Sequence, residues 1–332
     1  MATPKIFVSS PGYDAMDPET GARLTAAGYA IDLKPRTGSR TPDQLSELLE
    51  GAIGAVASTD PFTEDVFARN PQLRIIARTG VGADSIDLAA ATRHGVAVSL
   101  APGLNIDAVA DQAMAMILAL VRKIVLQDTT VKAGRWERTG AFLPTEMKGK
   151  TVGVVGAGAI GRAVMQRLAG FGVDILYFDP AVGGVVGATH VATLGALLAA
   201  SDVVTIHAPL TPETKHLINV DTIARMKRTA YVVNTARGPL IDQPALYAAL
   251  REGRLAGAAL DVFEQEPPEV TTFADVPNLI VSAHVAGISH EALRRLSTSA
   301  TTSVLAVLAG ECPPTVVNPE AVQIRTGLKE EE

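Results

Sequence analysis

The chain has 332 residues, 47% of them apolar and 19% charged, with a formal net charge of −6. At ~150 residues per domain this is enough for two folded domains, and the apolar content excludes wholesale disorder. A single cysteine, Cys312, excludes an internal disulfide and a four-cysteine zinc site, and the negative balance argues against a general binder of nucleic acid.

Short apolar runs alternate with amphipathic stretches over the first hundred residues. Strands are predicted over 5–9, 29–33, 55–58, 73–77 and 96–100, with helices over 18–27, 42–50 and 85–94. Such alternation predicts parallel strands joined by crossover helices. An alanine-rich helix over 107–123 follows, apolar on most faces. Its strongly apolar core, 113–121, falls far short of the ~20 residues that span a bilayer. The opening MATPKIFVSS reads as a first strand and lacks the apolar stretch of a signal peptide. A cytoplasmic protein without a membrane or metal partner is therefore expected.

A second α/β segment opens near residue 147. Strands are predicted over 151–156, 174–179, 202–207, 230–235, 256–262 and 278–284, with helices over 160–170, 194–200, 221–227 and 243–252. Six strands with crossovers match a doubly wound dinucleotide-binding sheet. A last helix over 290–308 precedes a charged tail that is expected to fray.

Gly156-Ala-Gly158-Ala159-Ile160-Gly161 fits G-x-G-x-x-G, leaving a valine-rich strand and opening a helix. The first two glycines let the backbone turn and approach a pyrophosphate, and the third lets helix and strand pack closely. Asp179 ends the next strand, 18 residues after Gly161, where a carboxylate accepts from the adenine-ribose hydroxyls. That charge repels a 2′-phosphate, and Pro180-Ala181-Val182 supplies no arginine to hold one, so the expected cofactor is NAD.

Three polar residues stand at strand ends in this half: Arg237 after the fourth strand, Glu266 after the fifth and His284 at the end of the sixth. A histidine titrates near neutrality and suits proton transfer to a hydroxyl losing hydride. A carboxylate beside it orients the ring and stabilises the imidazolium. An arginine grips a substrate carboxylate with two prongs and keeps its charge. A strand-end histidine alone is commonly structural, but all three stand at equivalent ends of one sheet beside a dinucleotide motif. His207, in His207-Ala208-Pro209, is read as shaping the cofactor cleft.

The ordered set GVVGAGAIGRAV, HAPLTPET, VVNTARGPLID, ALDVFEQEPP and SAHVAG resembles the D-isomer-specific 2-hydroxyacid dehydrogenase family. The resemblance implies that Arg237 binds the substrate carboxylate and carbonyl, that Glu266 partners the histidine and that His284 is the acid/base. It makes Asp261 the residue that orients the nicotinamide carboxamide, and places Thr211, Thr235, Ala236 and Gly287 near the cofactor. IIARTGVGADSIDLAAATRHGVAV is similar to the family's substrate-domain signature, implying that the Gly80, Val81 and Gly82 amides meet the substrate carboxylate. The implied architecture is a flavodoxin-like substrate-binding domain of residues 1–101 with 287–332, and a Rossmann NAD-binding domain of 102–286.

Within the family, RTGVGADSID and KAGRWERTGAF resemble the 3-phosphoglycerate dehydrogenase branch. Arg78 then becomes a candidate clamp for a phosphorylated substrate, and Arg135 and Arg138 flank Trp136 in a loop that by resemblance reaches a partner subunit. The expected reaction is oxidation of a D-2-hydroxy acid, with 3-phosphoglycerate as the main substrate. The alternatives are a hydroxypyruvate or glyoxylate reductase, a dehydrogenase of another 2-hydroxy acid, or a non-catalytic NAD(H)-sensing corepressor-like protein. No C-terminal regulatory domain is expected. The family also implies a homodimer formed through the NAD domain.

Overall fold

A computed structural model describes residues 3–13, 18–36 and 38–326. The first strands are β1 (Lys5–Val8), β2 (Ala30–Leu33), β3 (Ala52–Ala57), β4 (Ile75–Arg78) and β5 (Ala97–Ser99). Helices α1 (Pro18–Ala26), α2 (Pro42–Leu48), α3 (Glu64–Arg69) and α4 (Leu88–Arg93) connect them. Next come α5 (Ile106–Val121) and α6 (Ile124–Lys132), then β6 (Thr151–Val155), α7 (Ala159–Leu168), β7 (Asp174–Phe178) and β8 (Thr189–His190). They are followed by α8 (Leu194–Ala200), β9 (Val203–Ile206), α9 (Val220–Ile223), β10 (Tyr231–Asn234) and α10 (Gln243–Arg251). The chain closes with β11 (Gly257–Leu260), β12 (Leu279–Val281), α11 (His290–Leu308) and α12 (Glu320–Thr326).

These elements divide into two compact units, Met1–Asn105 with Ile288–Glu332, and Ile106–Gly287. The divisions fall at 105/106 and 287/288, against the expected 101/102 and 286/287. Both sheets are parallel throughout, as the alternation of strand and helix predicts.

The first unit carries a five-stranded sheet in the order β2-β1-β3-β4-β5, a flavodoxin-like arrangement. Ala300, Val304 and Val307 of α11 pack with Ile6, Val8, Val56 and Ile75 in one core. Gly54 lies under this helix, where a Cβ would come within 3.0 Å of Ile75 and 3.6 Å of Val304. Buried Asn318 ties the C-terminal segment to β5. Its Oδ1 accepts from the Val98 amide at 2.7 Å, and its Nδ2 donates to the Val96 carbonyl at 3.0 Å and Thr92 Oγ1 at 3.1 Å.

The second unit carries seven strands, in the order β12-β11-β10-β9-β6-β7-β8. The two-residue period of a strand sends alternate side chains to opposite faces. Val203, Val233 and Ala259 enter one core with Met114, Ile117 and Leu120 of α5. Val204, Val232 and Ala258 enter the other with Leu197 of α8 and Leu246 of α10. The apolar face of α5 is therefore used within its own unit.

Two expectations need correction. The sheet has a seventh strand, β8, whose two exposed residues, Thr189 and His190, give no apolar signal. The helix expected over 221–227 stops at Ile223. Asn219 caps its start by accepting from the Asp221 and Thr222 amides. Arg254 Nη2 donates to the carbonyls of Ile223, Ala224 and Met226 at 2.9, 2.6 and 2.9 Å, occupying acceptors that another helical turn would need. Helices α3, α6 and α12 lie outside the predicted set, so the helix over 290–308 is not the last, and the charged tail expected to fray lies outside the described residues.

Candidate active site

The glycine motif occupies the turn from β6 into α7, whose N-cap is Gly158. Gly156 has φ +92°, and a Cβ there would lie 2.7 Å from the Ala208 nitrogen and the His207 carbonyl carbon. A Cβ on Gly161 would overlap the Gly156 carbonyl oxygen. Around a Cβ on Gly158 there is open space to 4 Å, which leaves the backbone approachable from outside. Asp179 follows β7 and its Oδ2 accepts from the Ala157 amide at 2.8 Å, joining the two strand-end loops. Its Oδ1 accepts from the amides of Ala181 and Val182 at 2.9 and 3.1 Å.

The remaining residues expected at the cofactor also follow strands of this sheet. His207, Ala208, Pro209 and Thr211 leave β9, and Thr235 and Ala236 leave β10. Burial pushes the His207 imidazole down to about 4, so the ring is neutral at physiological pH. Its Nε2 lies 2.9 Å from Thr205 Oγ1. His207 Nδ1 and Thr235 Oγ1 are buried polar atoms without a hydrogen-bond partner. Open backbone at Gly158 and these two unsatisfied atoms fit a polar dinucleotide. Among the described residues, no group of three or more His, Cys, Asp or Glu could hold a metal ion.

The structure brings Glu266 and His284 together. His284 Nδ1 lies 2.7 Å from Glu266 Oε2, and Glu266 Oε1 accepts from the Phe263 amide at 3.0 Å. Burial pushes the Glu266 carboxyl up, but the bond to His284, that ring's charge, the Phe263 amide and the Arg237 charge outweigh it. The carboxyl is held below its ordinary value. Arg237 follows β10, and its Nη1 donates to the Ala236 carbonyl at 2.8 Å.

His284 adopts φ +52°, a left-handed conformation that costs a residue with a Cβ about 1 kcal/mol. Asp261, fully buried after β11, holds that turn. Its carbonyl accepts from the His284 amide at 2.7 Å, and its Oδ1 and Oδ2 accept from the Val285 and Ala286 amides at 2.9 and 2.8 Å. Ser282 donates its hydroxyl to the same carboxyl group, and Gln112 of α5 donates to Ser282 at 3.3 Å. The Asp261 carboxyl therefore organises the histidine turn, and Gly287 ends this segment.

In the first unit, Gly80, Val81 and Gly82 form the loop after β4. Arg78 at the end of β4 is only 8% exposed. Its Nη1 donates to the Ser58 carbonyl and to Ser85 Oγ, and its guanidinium folds against Gly80.

Sequence reasoning missed one pair beside the site. His216, also at φ +52°, lies 2.6 Å through Nε2 from Glu264 Oε1, two residues before Glu266. The partners are 48 residues apart in sequence, so no local spacing announces them.

The family model of the D-isomer specific 2-hydroxyacid dehydrogenase NAD binding domain matches residues 114–286. A glyoxylate reductase of Thermofilum pendens is 40% identical, the match covering 98% of this chain and 97% of that protein. A D-3-phosphoglycerate dehydrogenase of Methanocaldococcus jannaschii is 38% identical over 86% of this chain, but over only 55% of its own length. Among solved structures, the TT0316 protein of Thermus thermophilus superposes with a TM-score of 0.86 at 33% identity, covering 94% of this chain and 99% of that one. The D-lactate dehydrogenase of Escherichia coli gives 0.83 at 28% identity, covering 94% and 99%. With the motifs in order, both parallel sheets formed and relatives matched nearly end to end, the chain belongs to the D-isomer specific 2-hydroxyacid dehydrogenase family, NAD-dependent oxidoreductases.

Proposed function

We propose that the protein reduces a small, unphosphorylated 2-keto acid of the glyoxylate and hydroxypyruvate class to the D-2-hydroxy acid, and catalyses the reverse oxidation. The observation that carries the reading is the 2.7 Å contact of His284 with Glu266, electrostatically coupled to Arg237. Gly156, Gly158, Ala159, Ile160 and Gly161 would hold the pyrophosphate of NAD, and Asp179 its adenine ribose. Held there, NAD would supply the hydride to C2 of the substrate in reduction and accept it in oxidation. His284 uses Nδ1 to meet Glu266, which leaves Nε2 to give a proton to the substrate oxygen in reduction and to take it back in oxidation. Glu266 fixes the ring and stabilises its charged form. Arg237 holds the substrate carboxylate and polarises the carbonyl. We assign the first unit as the substrate-binding domain, its Gly80, Val81 and Gly82 amides binding the carboxylate.

Two observations favour this class over 3-phosphoglycerate. The glyoxylate reductases of Thermofilum pendens and Korarchaeum cryptofilum match across 97% or more of both chains. Arg78, the candidate phosphate clamp, is buried and engaged by Ser58 and Ser85. An assembled His284–Glu266 pair also favours turnover over a corepressor-like role.

We further propose a homodimer. Ile124 and Val125 of α6 are 56% and 50% exposed, and Trp136 in the loop that follows is 77% exposed. Light scattering on purified protein tests this, and a monomer at micromolar concentration would refute it. NADH oxidation with glyoxylate, hydroxypyruvate and phosphohydroxypyruvate tests the substrate class. The expected kcat/KM is highest for an unphosphorylated acid, and a strong preference for phosphohydroxypyruvate would overturn that class.

A further inference from the structure

We propose that His216 and Glu264 are a positioning pair that holds the Glu266 loop in register with His284. This rests on the roles given above to Glu266 and His284. The 263–266 segment carries two carboxylates that each meet an imidazole: Glu266 meets His284 at 2.7 Å, and Glu264 meets His216 at 2.6 Å. Only the first imidazole stands at the end of a sheet strand. The second belongs to the segment between β9 and α9 and is anchored there by its backbone. The His216 amide donates to the Pro239 carbonyl at 2.8 Å, and its carbonyl accepts from Asn219 Nδ2 at 2.8 Å.

Glu264 is fixed from its other side, because its amide donates to Gln243 Oε1 of α10 at 2.8 Å. Gly238, next to Arg237, has no room for a Cβ against the Phe263 carbonyl and the Glu264 nitrogen. The Arg237 turn, the Glu264–Glu266 loop and His216 thus form one packed assembly. Only Gln265 separates Glu264 from Glu266, so a displacement of the first is transmitted to the second with little slack. On the α10 side of this assembly the Tyr247 hydroxyl feels the charges of both Glu264 and Arg251. Arg251 is paired with Asp275 and the Tyr247 hydroxyl accepts from Gln243, so among the described residues His216 is the side chain that engages the Glu264 carboxylate.

The test compares His216→Asn with His216→Gln. Asparagine tolerates the left-handed backbone but is too short to reach Glu264, whereas glutamine places an amide where Nε2 stood. Two readouts are taken: steady-state kinetics with NADH and glyoxylate, and titration of the Glu266 carboxyl carbon by 13C NMR, its resonance identified by its absence in Glu266→Gln. His216→Asn is expected to lower kcat about tenfold with KM for NADH unchanged, and to move the Glu266 titration upward as its bond to His284 loosens. His216→Gln is expected to restore both. A pair that merely stabilises the fold would lower the melting temperature and leave the Glu266 titration in place, and that result overturns the proposal. If wild type turns over no 2-keto acid, the functional reading fails while the carboxyl titration still decides the role of the pair.

Discussion

Replacing Glu266 with glutamine removes a charge and keeps an acceptor within reach of His284, so the variant isolates electrostatics from geometry. Unit charges ~4 Å apart interact by about 4 kcal/mol at an effective dielectric constant of ~20. The His284 and Glu266 side chains retain 40% and 34% exposure, and solvent screening reduces the figure to roughly 1–2 kcal/mol. That corresponds to about one pH unit. The sign follows from which form the carboxylate favours. Glu266 stabilises the imidazolium that His284 becomes when it carries the proton, so its loss disfavours the charged form. In the reduction direction, which consumes that proton, the descending limb of kcat/KM is expected to move down by about one unit, with an approximately tenfold loss above it. In oxidation, which needs the neutral ring, the ascending limb moves down as well. The assay is NADH absorbance from pH 5 to 9 in both directions. A profile that stays in place or moves up would refute the coupling.

Gly156→Ala and Gly158→Ala separate folding from binding. The first forces a Cβ against the His207–Ala208 backbone at φ +92° and is expected to cost more than ~2 kcal/mol in thermal unfolding; an unchanged melting temperature would contradict the packing. The second meets open space, so its melting temperature should match wild type while its NADH affinity, read by cofactor fluorescence, falls at least ~10-fold. His207 has a folded value of about 4, below the ~6.5 of the unfolded chain. Its contribution is therefore complete above ~6.5 and is lost as pH falls towards 4, by about 3 kcal/mol. Melting curves of His207→Leu should be flatter than wild type across that window, and an equal slope would refute the burial argument. Asn318→Ala strands the Val98 amide and the Val96 carbonyl and should cost roughly 2–4 kcal/mol in urea unfolding; a loss under ~1 kcal/mol would show that the tie to β5 is dispensable.

Much of this molecule is legible in its sequence because parallel strands buried on both faces read as continuous apolar runs. TVGVVG and DVVTIH needed only that rule, and the crossover pattern supplied the rest. Position in the sheet then followed, since chemistry gathers at the carboxyl ends of such strands, and Arg237, Glu266 and His284 all lie there. What stayed hidden depends on contacts distant in sequence. The end of α9 is set by Arg254, some 30 residues away. The direction of Arg78 is set by Ser58 and Ser85 in neighbouring loops. The left-handed turn at His284 is set by a buried aspartate, Asp261, on the preceding strand end, whose side chain the motif alone ties to the cofactor. Apart from Ser85, seven residues from Arg78, these partners lie 20 or more residues away, outside any local window of sequence.

The interleaved build of the first unit bears on how the protein is made. Its β1, β3 and β4 are translated before the middle unit, yet Ala300, Val304 and Val307 of the same core are translated after it. The middle unit, continuous from Ile106 to Gly287, has all its strands in hand while the earlier sheet still exposes an apolar face. The core of the first unit therefore becomes complete only after the whole middle unit has been translated. The exposed strands 52–57 and 75–78 are accordingly where a nascent chain most needs chaperone cover.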